Sequence, residues 1–195
     1  MSSLVGHAVT GAAIAFARAD TPGQRMGHAL PWLVLLAICA DFDYLLFWSF
    51  GIDLRPRFTH SLAFALVAAT AAWTLGRLIE ADRRPPESFA VLCLAACSHP
   101  ALDLLVGVHA LPLFWPFVAS EVASPIGVLP SAAHVSLTNH FLWRNLLIEA
   151  GVLLPALALG VSAARTGSPM AALKRCGILV LPWIGFLAWS ISLHR

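Results

Sequence analysis

The sequence has few charged residues. Only 11% of its 195 residues are Asp, Glu, Lys or Arg, and 59% are hydrophobic, whereas a soluble domain has about 25% charged residues. The mean hydropathy is +0.80. So little charge excludes an ordinary soluble globule and predicts an integral membrane protein. The length allows five or six spans of roughly 20 residues, which leaves no room for a separate soluble domain, so residues 1–195 are predicted to form a single transmembrane domain.

Basic residues and cysteines are also scarce. The net charge of +2 is too small to indicate a nucleic-acid partner. The four cysteines lie in apolar runs and are interpreted as small buried hydrophobes. Cys93 and Cys97 are one helical turn apart, but no second pair completes a zinc site made of thiolates. No Lys or Arg precedes Arg18, so the positive region of a cleavable signal is missing, and we expect none.

Six apolar segments follow one another along the chain, at about 4–17, 29–50, 58–79, 88–108, 141–164 and 176–193. Between the fourth and the fifth, four prolines occur in about 30 residues without Lys or Arg, which argues against a spanning helix there. This stretch is predicted to be re-entrant or interfacial. The expected fold is all-α and polytopic, with five to six transmembrane helices. Residues 1–117 carry the site motifs, and 141–195 supply supporting helices.

The distribution of basic residues predicts the orientation of the chain in the membrane. If the N-terminus is outside and all six segments cross, the outer side holds four of the twelve Lys and Arg residues. The inner loops then hold the other eight: Arg18, Arg25, Arg77, Arg83, Arg84, Arg165, Lys174 and Arg175. Because basic residues concentrate on the cytoplasmic side, this favours an external N-terminus.

Six ionisable side chains interrupt the apolar segments. In the predicted orientation all of them lie toward the outer ends of their segments, and reversing the topology would move the whole set to the inner face. Ionisable groups in such segments are costly and usually functional. We therefore predict one polar site near the outer face. Its members are His7, Asp41, Asp43, His60, His99 and Asp103.

The spacing within this set predicts local geometry. His99 and Asp103 are four residues apart and share one face of a helix, although Pro100 predicts a break in the helix at His99. Asp41 and Asp43 are two residues apart, about 200° around an ideal helix. They can face one metal ion only if the helix frays; otherwise they serve different partners.

Small and hydroxyl residues accompany two of the histidines. Gly11 shares the helix face of His7, and a glycine there allows another helix to approach closely. Thr59 and Ser61 flank His60 and could orient either its ring or a substrate.

Three histidines and three aspartates suit zinc, manganese or iron better than magnesium. More than four candidate ligands leaves room for one open catalytic ion or for two ions bridged by a carboxylate. We assign the metal ligands, with zinc as the expected ion, to His7, Asp41, His60, His99 and Asp103. Because no Ser-His-Asp order and no Gly-rich phosphate loop accompanies them, hydrolysis by metal-activated water is the simplest chemistry.

The expected substrate is a membrane lipid or a lipid-linked molecule with an ester or phosphoester bond near the membrane edge. Asp43 is the candidate general base or a second metal ligand. Arg57 is predicted to pair with an anionic group of the substrate, because a guanidinium matches phosphate bidentately.

Some alternatives remain open at this stage. Intramembrane Asp and His also build the pathways of metal or proton transporters, or tie helices together without binding metal. Glu149 has Arg144 and Asn145 nearby in sequence, which allows an ion pair, a proton relay or a role in the site. Three histidines of the proline-rich stretch are interpreted as interfacial, with a role in the site left open: His109, His134 and His140.

Several of these motifs occur together in one known family. They are Gly6-His7, Asp41-Phe42-Asp43, Phe58-Thr59-His60-Ser61, Ser98-His99 with Asp103, and Gly107 with Phe114-Trp115-Pro116-Phe117. Over roughly residues 6 to 117 the sequence resembles the YdjM-like family of inner-membrane proteins, described as membrane-bound metal-dependent hydrolases. The resemblance implies an inner-membrane location and a metal-dependent hydrolase activity. Arg55-Pro56-Arg57 stands where the family has His-Arg-Gly, and Tyr44 stands where a His is often seen, so two possible ligands are missing.

Overall fold

The computed structural model describes residues 2–18, 26–79, 88–107, 109–125, 127–131 and 136–193. Within these residues helices predominate, and β pairing is limited to one antiparallel bridge between Leu111 and Val122. The predicted all-α fold is confirmed. The described helices are α1 (Leu4–Arg18), α2 (Met26–Ile38), α3 (Phe42–Phe50), α4 (Leu62–Ile79), α5 (Phe89–Val106), α6 (His140–Thr166), α7 (Pro169–Cys176) and α8 (Val180–Ser192).

Five helical stretches of the described chain are long and apolar enough to cross a membrane. They are Ala29–Phe50, Leu62–Ile79, Phe89–Val106, His140–Thr166 and Pro169–Ser192. The first helix, α1, is apolar but has only 15 residues. Large apolar side chains such as those of Leu78 and Leu181 point outward, as expected for a surface that faces lipid. The chain is therefore a polytopic membrane protein.

Two of the predicted segments consist of two helices joined by a 3₁₀ turn. Cys39–Asp41 joins α2 to α3, and Gly177–Leu179 joins α7 to α8. The last segment begins at Pro169 rather than near Cys176, because the Ser168 side chain caps α7 by accepting a hydrogen bond from the Ala171 N–H at 3.3 Å. The first of these turns carries Asp41 and changes the direction of the chain within the site.

The predicted break at Pro100 is wrong, because α5 continues through it to Val106. The clash between a proline ring and the preceding residue disfavours helical geometry only modestly. Here tertiary contacts outweigh it: Pro100 is buried, and the Nδ1 atom of His99 lies 2.7 Å from the carbonyl oxygen of Ala37 on α2. His99 and Asp103 consequently keep the helical spacing that places both on one face.

The proline-rich stretch folds back on two helix ends. In its described part it forms turns and the one bridge rather than a helix, which confirms that it is not one spanning helix. The Leu62 N–H donates to Leu113 O at 3.0 Å, and the N–H groups of Val128 and Leu129 donate to Leu105 O at 2.6 and 3.0 Å. The stretch therefore lies against the start of α4 and the end of α5. Its depth in the membrane stays a prediction.

The helices pack through small side chains. α1 packs on α2 and α6, and α5 packs on α2 and α4. The core between α1, α2, α4 and α5 is rich in alanine. Ala69 and Ala95 are fully buried in it. Small residues let helix backbones approach closely, which is how helices associate in a membrane.

Gly11 is a point of close approach between α1 and α2. A Cβ atom there would lie 2.6 Å from Leu33 O and 2.9 Å from Val34 Cα, both backbone atoms of α2. We expect Gly11→Ala to push α1 away from α2 and to destabilise the protein by about 1–3 kcal/mol, as overpacking does. Thermal unfolding in detergent measures this. Gly160→Ala on α6 is the control, because no atom lies within 4 Å of its Cβ position. Equal unfolding temperatures for the two variants would contradict the close approach.

Candidate metal centre

Four buried side chains form a closed ring of nitrogen and oxygen atoms, which we call the four-donor ring. Asp41 comes from the 3₁₀ turn after α2, His60 from a 3₁₀ turn (Phe58–His60) before α4, and His99 and Asp103 from α5. The edges are Asp41 Oδ1 to His60 Nε2 (3.6 Å), His60 Nε2 to Asp103 Oδ2 (3.5 Å), Asp103 Oδ2 to His99 Nε2 (3.5 Å) and His99 Nε2 to Asp41 Oδ1 (3.7 Å). Nitrogen and oxygen donors alternate around it.

The size and chemistry of the ring fit a metal ion. Ligand atoms about 2.0–2.2 Å from a tetrahedral metal ion are about 3.4 Å apart, close to the edges of the ring. Asp41 Oδ1, His99 Nε2 and Asp103 Oδ2 are buried and have no hydrogen-bond partner. Each such atom costs roughly 1–3 kcal/mol when it is left unsatisfied. A cation between them would satisfy all three, and imidazole with carboxylate is a donor set for transition metals.

His7 lies beside the ring on the other oxygen of Asp103. Its Nε2 is 3.4 Å from Asp103 Oδ1, and its imidazole stacks on that of His99 with a centroid distance of 3.7 Å. Both imidazole nitrogens of His7 lack a hydrogen-bond partner. His7, Asp41 and His99 also form a triad able to hold a metal ion. The arrangement thus accommodates one ion in the ring or two ions that share carboxylate ligands.

The two ring histidines are oriented by contacts on their outer nitrogens. His99 Nδ1 lies 2.7 Å from Ala37 O, which can only accept, so Nδ1 carries the proton and the Nε2 lone pair faces the ring. His60 Nδ1 is 3.0 Å from Thr59 Oγ1, which in turn donates to Asp43 Oδ2 at 3.3 Å. Such outer contacts fix the tautomer and the orientation of metal-binding histidines.

Asp41 and Asp43 differ in their contacts, although together with His60 they form a group able to hold a metal ion. Asp41 belongs to the ring, whereas Asp43 accepts two hydrogen bonds from Arg57, from Nε to Oδ2 at 2.7 Å and from Nη2 to Oδ1 at 2.9 Å. Asp43 Oδ2 is also 3.8 Å from His60 Nδ1. The 3₁₀ turn at Asp41 therefore lets both carboxylates lie beside His60, while only Asp43 binds Arg57.

Arg57 lines a cleft next to the ring. Its side chain is 31% exposed, its Nη1 donates to Tyr44 Oη at 3.1 Å, and its guanidinium lies 4.4 Å from the centroid of the Tyr44 ring. Burial opposes the charge, but Tyr44 and Asp43 outweigh it and raise the pKa of Arg57 above its ordinary value. The cleft has a volume of about 290 Å³, and Asp43, Phe47 and residues 52–55 complete its wall.

Glu149 does not pair with Arg144 in the described part of the chain. Arg144 donates to Asn145 Oδ1 at 3.0 and 2.9 Å. Glu149 instead accepts hydrogen bonds from the Ser2 hydroxyl and from the Ser3 N–H. Sequence reasoning missed both serines. The available signal was two small polar residues directly before an apolar helix, a pattern typical of an N-terminal cap.

The histidines of the proline-rich stretch are not members of the ring where the structure describes them. His109 and His140 are exposed, and neither belongs to a group of side chains able to hold a metal ion. His134 lies outside the described residues.

Comparisons with known proteins give one match. Neither the curated proteins nor the solved structures include a match to this chain. The family model described as YdjM inner membrane protein matches residues 1–190. That range includes the supporting helices α6–α8 and extends well beyond the motifs between residues 6 and 117. The chain therefore belongs to the YdjM inner membrane protein family.

Proposed function

We propose that this protein is a membrane-embedded, metal-dependent hydrolase that acts on an ester or phosphoester bond of a lipid-like substrate. The four-donor ring is the observation that carries the proposal. It brings imidazole and carboxylate atoms from three separate elements to within 3.5–3.7 Å of one another, and three of these four atoms, Asp41 Oδ1, His99 Nε2 and Asp103 Oδ2, have no hydrogen-bond partner. Purely structural cross-links between helices would instead close into hydrogen bonds.

The ring side chains would hold a divalent transition metal, with zinc as the leading candidate and manganese or iron as alternatives. When bound, the metal would act as a Lewis acid and activate a water molecule for attack. His60 and His99 would each present Nε2 to it, because their Nδ1 atoms are engaged elsewhere. Asp41 and Asp103 would offset its charge.

The cleft supplies the groups that handle the substrate. Arg57 would bind an anionic group, such as a phosphate, from the cleft side, since its charge is secured by its neighbours. Asp43 is the carboxylate that borders both the cleft and His60 without being part of the ring. We assign it the role of accepting the proton that the attacking water loses. Phe47 and Ile52 give the cleft apolar walls suited to the hydrophobic part of a lipid.

Hydrolysis should depend on the metal and on the ring. We expect purified protein to cleave a soluble test ester or phosphodiester, such as p-nitrophenyl butyrate or bis(p-nitrophenyl) phosphate. Activity should vanish after chelation and return with one of zinc, manganese or iron. Asp41→Asn should remain inactive after reloading, because it removes one negative charge from the ring. Release of p-nitrophenol is the measurement.

The outcome also separates the alternative functions. A protein that binds metal, cleaves neither test compound nor extracted membrane lipids, and moves metal or protons across vesicle membranes would be a transporter. A protein that binds no metal after attempted reloading would leave the cluster as a tie between helices.

We further propose that the site lies near the outer face of the membrane. The support is the excess of basic residues in loops that would be internal. Single cysteines placed at the N-terminus and in the 80–87 loop, in a background without native cysteines, should react differently with an impermeant maleimide in intact cells. We expect labelling at the N-terminus and protection of the loop. The reverse pattern would put the site at the inner face.

A further inference from the structure

Glu149 is a buried carboxylate that the proposed hydrolysis does not use. It lies on α6, is 3% exposed, and is two turns from the start of that helix. A carboxylate inside an apolar helix is costly and calls for a specific partner. Its partners in the described chain are Ser2, through the hydroxyl, and Ser3, through the backbone N–H at 2.9 Å. Both serines are themselves buried.

Ser2 also contacts the four-donor ring. The Ser2 N–H donates to Asp103 Oδ1 at 2.9 Å. The other oxygen of that carboxylate, Oδ2, is the ring atom that faces His60 and His99. Because the two oxygens belong to one planar group, a hydrogen bond that fixes Oδ1 also fixes the direction of Oδ2.

Ser3, which Glu149 binds, also contacts the start of the helix that carries His7. The Ser3 hydroxyl accepts a hydrogen bond from the Gly6 N–H at 3.0 Å and caps the start of α1, the helix that carries His7. A Cβ atom at Gly6 would lie 2.9 Å from the Glu149 carboxyl carbon and 3.0 Å from Ser2 Oγ. Gly6 therefore leaves the room in which this contact forms.

We propose that Glu149 is a positioning residue of the metal centre, which holds Ser2 and Ser3 so that the Ser2 N–H orients the Asp103 carboxylate toward the metal. The inference rests on the proposed metal centre, but not on hydrolysis. Groups that orient metal ligands typically change metal affinity by 10–100-fold when they are removed. The linkage connects Glu149 on α6 to the ring through Ser2.

Variants at Glu149 test the contact between Glu149 and the two serines. We expect Glu149→Ala to raise the dissociation constant for Zn²⁺ by about 10–100-fold, measured by competition with a chromophoric chelator on full-length protein in detergent. Glu149→Gln should restore most of the affinity, because its amide oxygen still accepts from Ser2 and Ser3. Trp183→Phe is the matched control. This variant removes a hydrogen bond of 2.9 Å from the Trp183 indole N–H on α8 to Val152 O on α6, the helix of Glu149. It should leave the dissociation constant for Zn²⁺ unchanged.

Variants at Ser2 independently test the contact between Ser2 and Asp103. Proline inside a chain has no backbone N–H, so Ser2→Pro in protein that retains Met1 cannot donate to Asp103, whereas Ser2→Ala keeps that N–H and loses only the hydroxyl. We expect Ser2→Pro to weaken Zn²⁺ binding at least as much as Glu149→Ala. Ser2→Ala should have a smaller effect. This pair gives an answer even if Glu149→Ala fails to fold.

The results distinguish the proposal from the metal centre on which it rests. If wild-type protein binds Zn²⁺ and both Ser2→Pro and Glu149→Ala bind it equally well, the positioning role is overturned and the metal centre stands. An equal loss of affinity in Trp183→Phe would also overturn it, because the effect would then be general destabilisation. A wild-type protein that binds no metal overturns both.

Discussion

His60→Ala and His99→Ala should each abolish stoichiometric binding of a transition metal, most readily seen as loss of zinc. Each variant removes one of the two nitrogen donors of the four-donor ring and leaves its carboxylates at 8% exposure or less. Elemental analysis of protein purified without chelators measures the metal directly. We expect at least one ion per wild-type chain and none in either variant.

The size of this effect follows from the cost of the cluster. A charged or strongly polar group at the centre of a membrane span costs roughly 2–4 kcal/mol on insertion scales, and less near its end. Gathering five such groups is tolerable if one partner offsets the carboxylate charge and also uses the imidazole lone pairs. A divalent cation does both, so the affinity depends on the complete set of donors.

His140→Ala is the control for this pair, because His140 is exposed and lies outside the groups able to hold a metal ion. It should retain the full metal content. Wild-type protein that remains free of metal after reloading would contradict the prediction and the hydrolase proposal together. Retention of metal in both ring variants would show that the ion binds elsewhere.

The sequence was sufficient to predict which residues meet, because the position of a residue along an apolar segment indicates its depth in the membrane. Side chains near equivalent ends of antiparallel apolar segments must lie at one level of the membrane. On that basis six side chains were expected together, and the structure brings all six into three overlapping groups able to hold a metal ion: His7, Asp41, Asp43, His60, His99 and Asp103. His99 and Asp103, four residues apart, also lie on one helix face as predicted, since the helix continues through Pro100.

The sequence was not sufficient to predict which partner each side chain of the site contacts. A 3₁₀ turn at Asp41 changes the angle between neighbouring residues, so the positions of Asp41 in the ring and of Asp43 beside Arg57 depend on a local geometry that periodicity does not reveal. The contact of Ser2 with Glu149 joins residues 147 positions apart. Nothing in local propensity indicates such a pairing, because it depends on how α1 packs against α6.

The Arg57–Asp43 pair yields the second large effect. We expect Arg57→Ala to lower kcat/KM toward an anionic phosphodiester by about 100-fold, as the loss of a preorganised charge donor does. It should also destabilise the protein, because Asp43 is only 5% exposed and would be left without its bidentate partner. Since Arg57 is 31% exposed, water screens part of this cost, and we expect about 1–3 kcal/mol. Phosphodiester hydrolysis and thermal unfolding in detergent measure the two effects.

The double variant Arg57→Ala/Asp43→Ala separates structure from function. Removing the stranded carboxylate should recover much of the lost stability, whereas activity should stay low, because neither the anion-binding group nor the proposed base is present. Arg57→Lys should keep the charge but lose the bidentate geometry, and its activity should fall between wild type and Arg57→Ala. If Arg57→Ala kept full activity while losing stability, the pair would be a structural ion pair, and substrate binding would have to be assigned to other residues of the cleft.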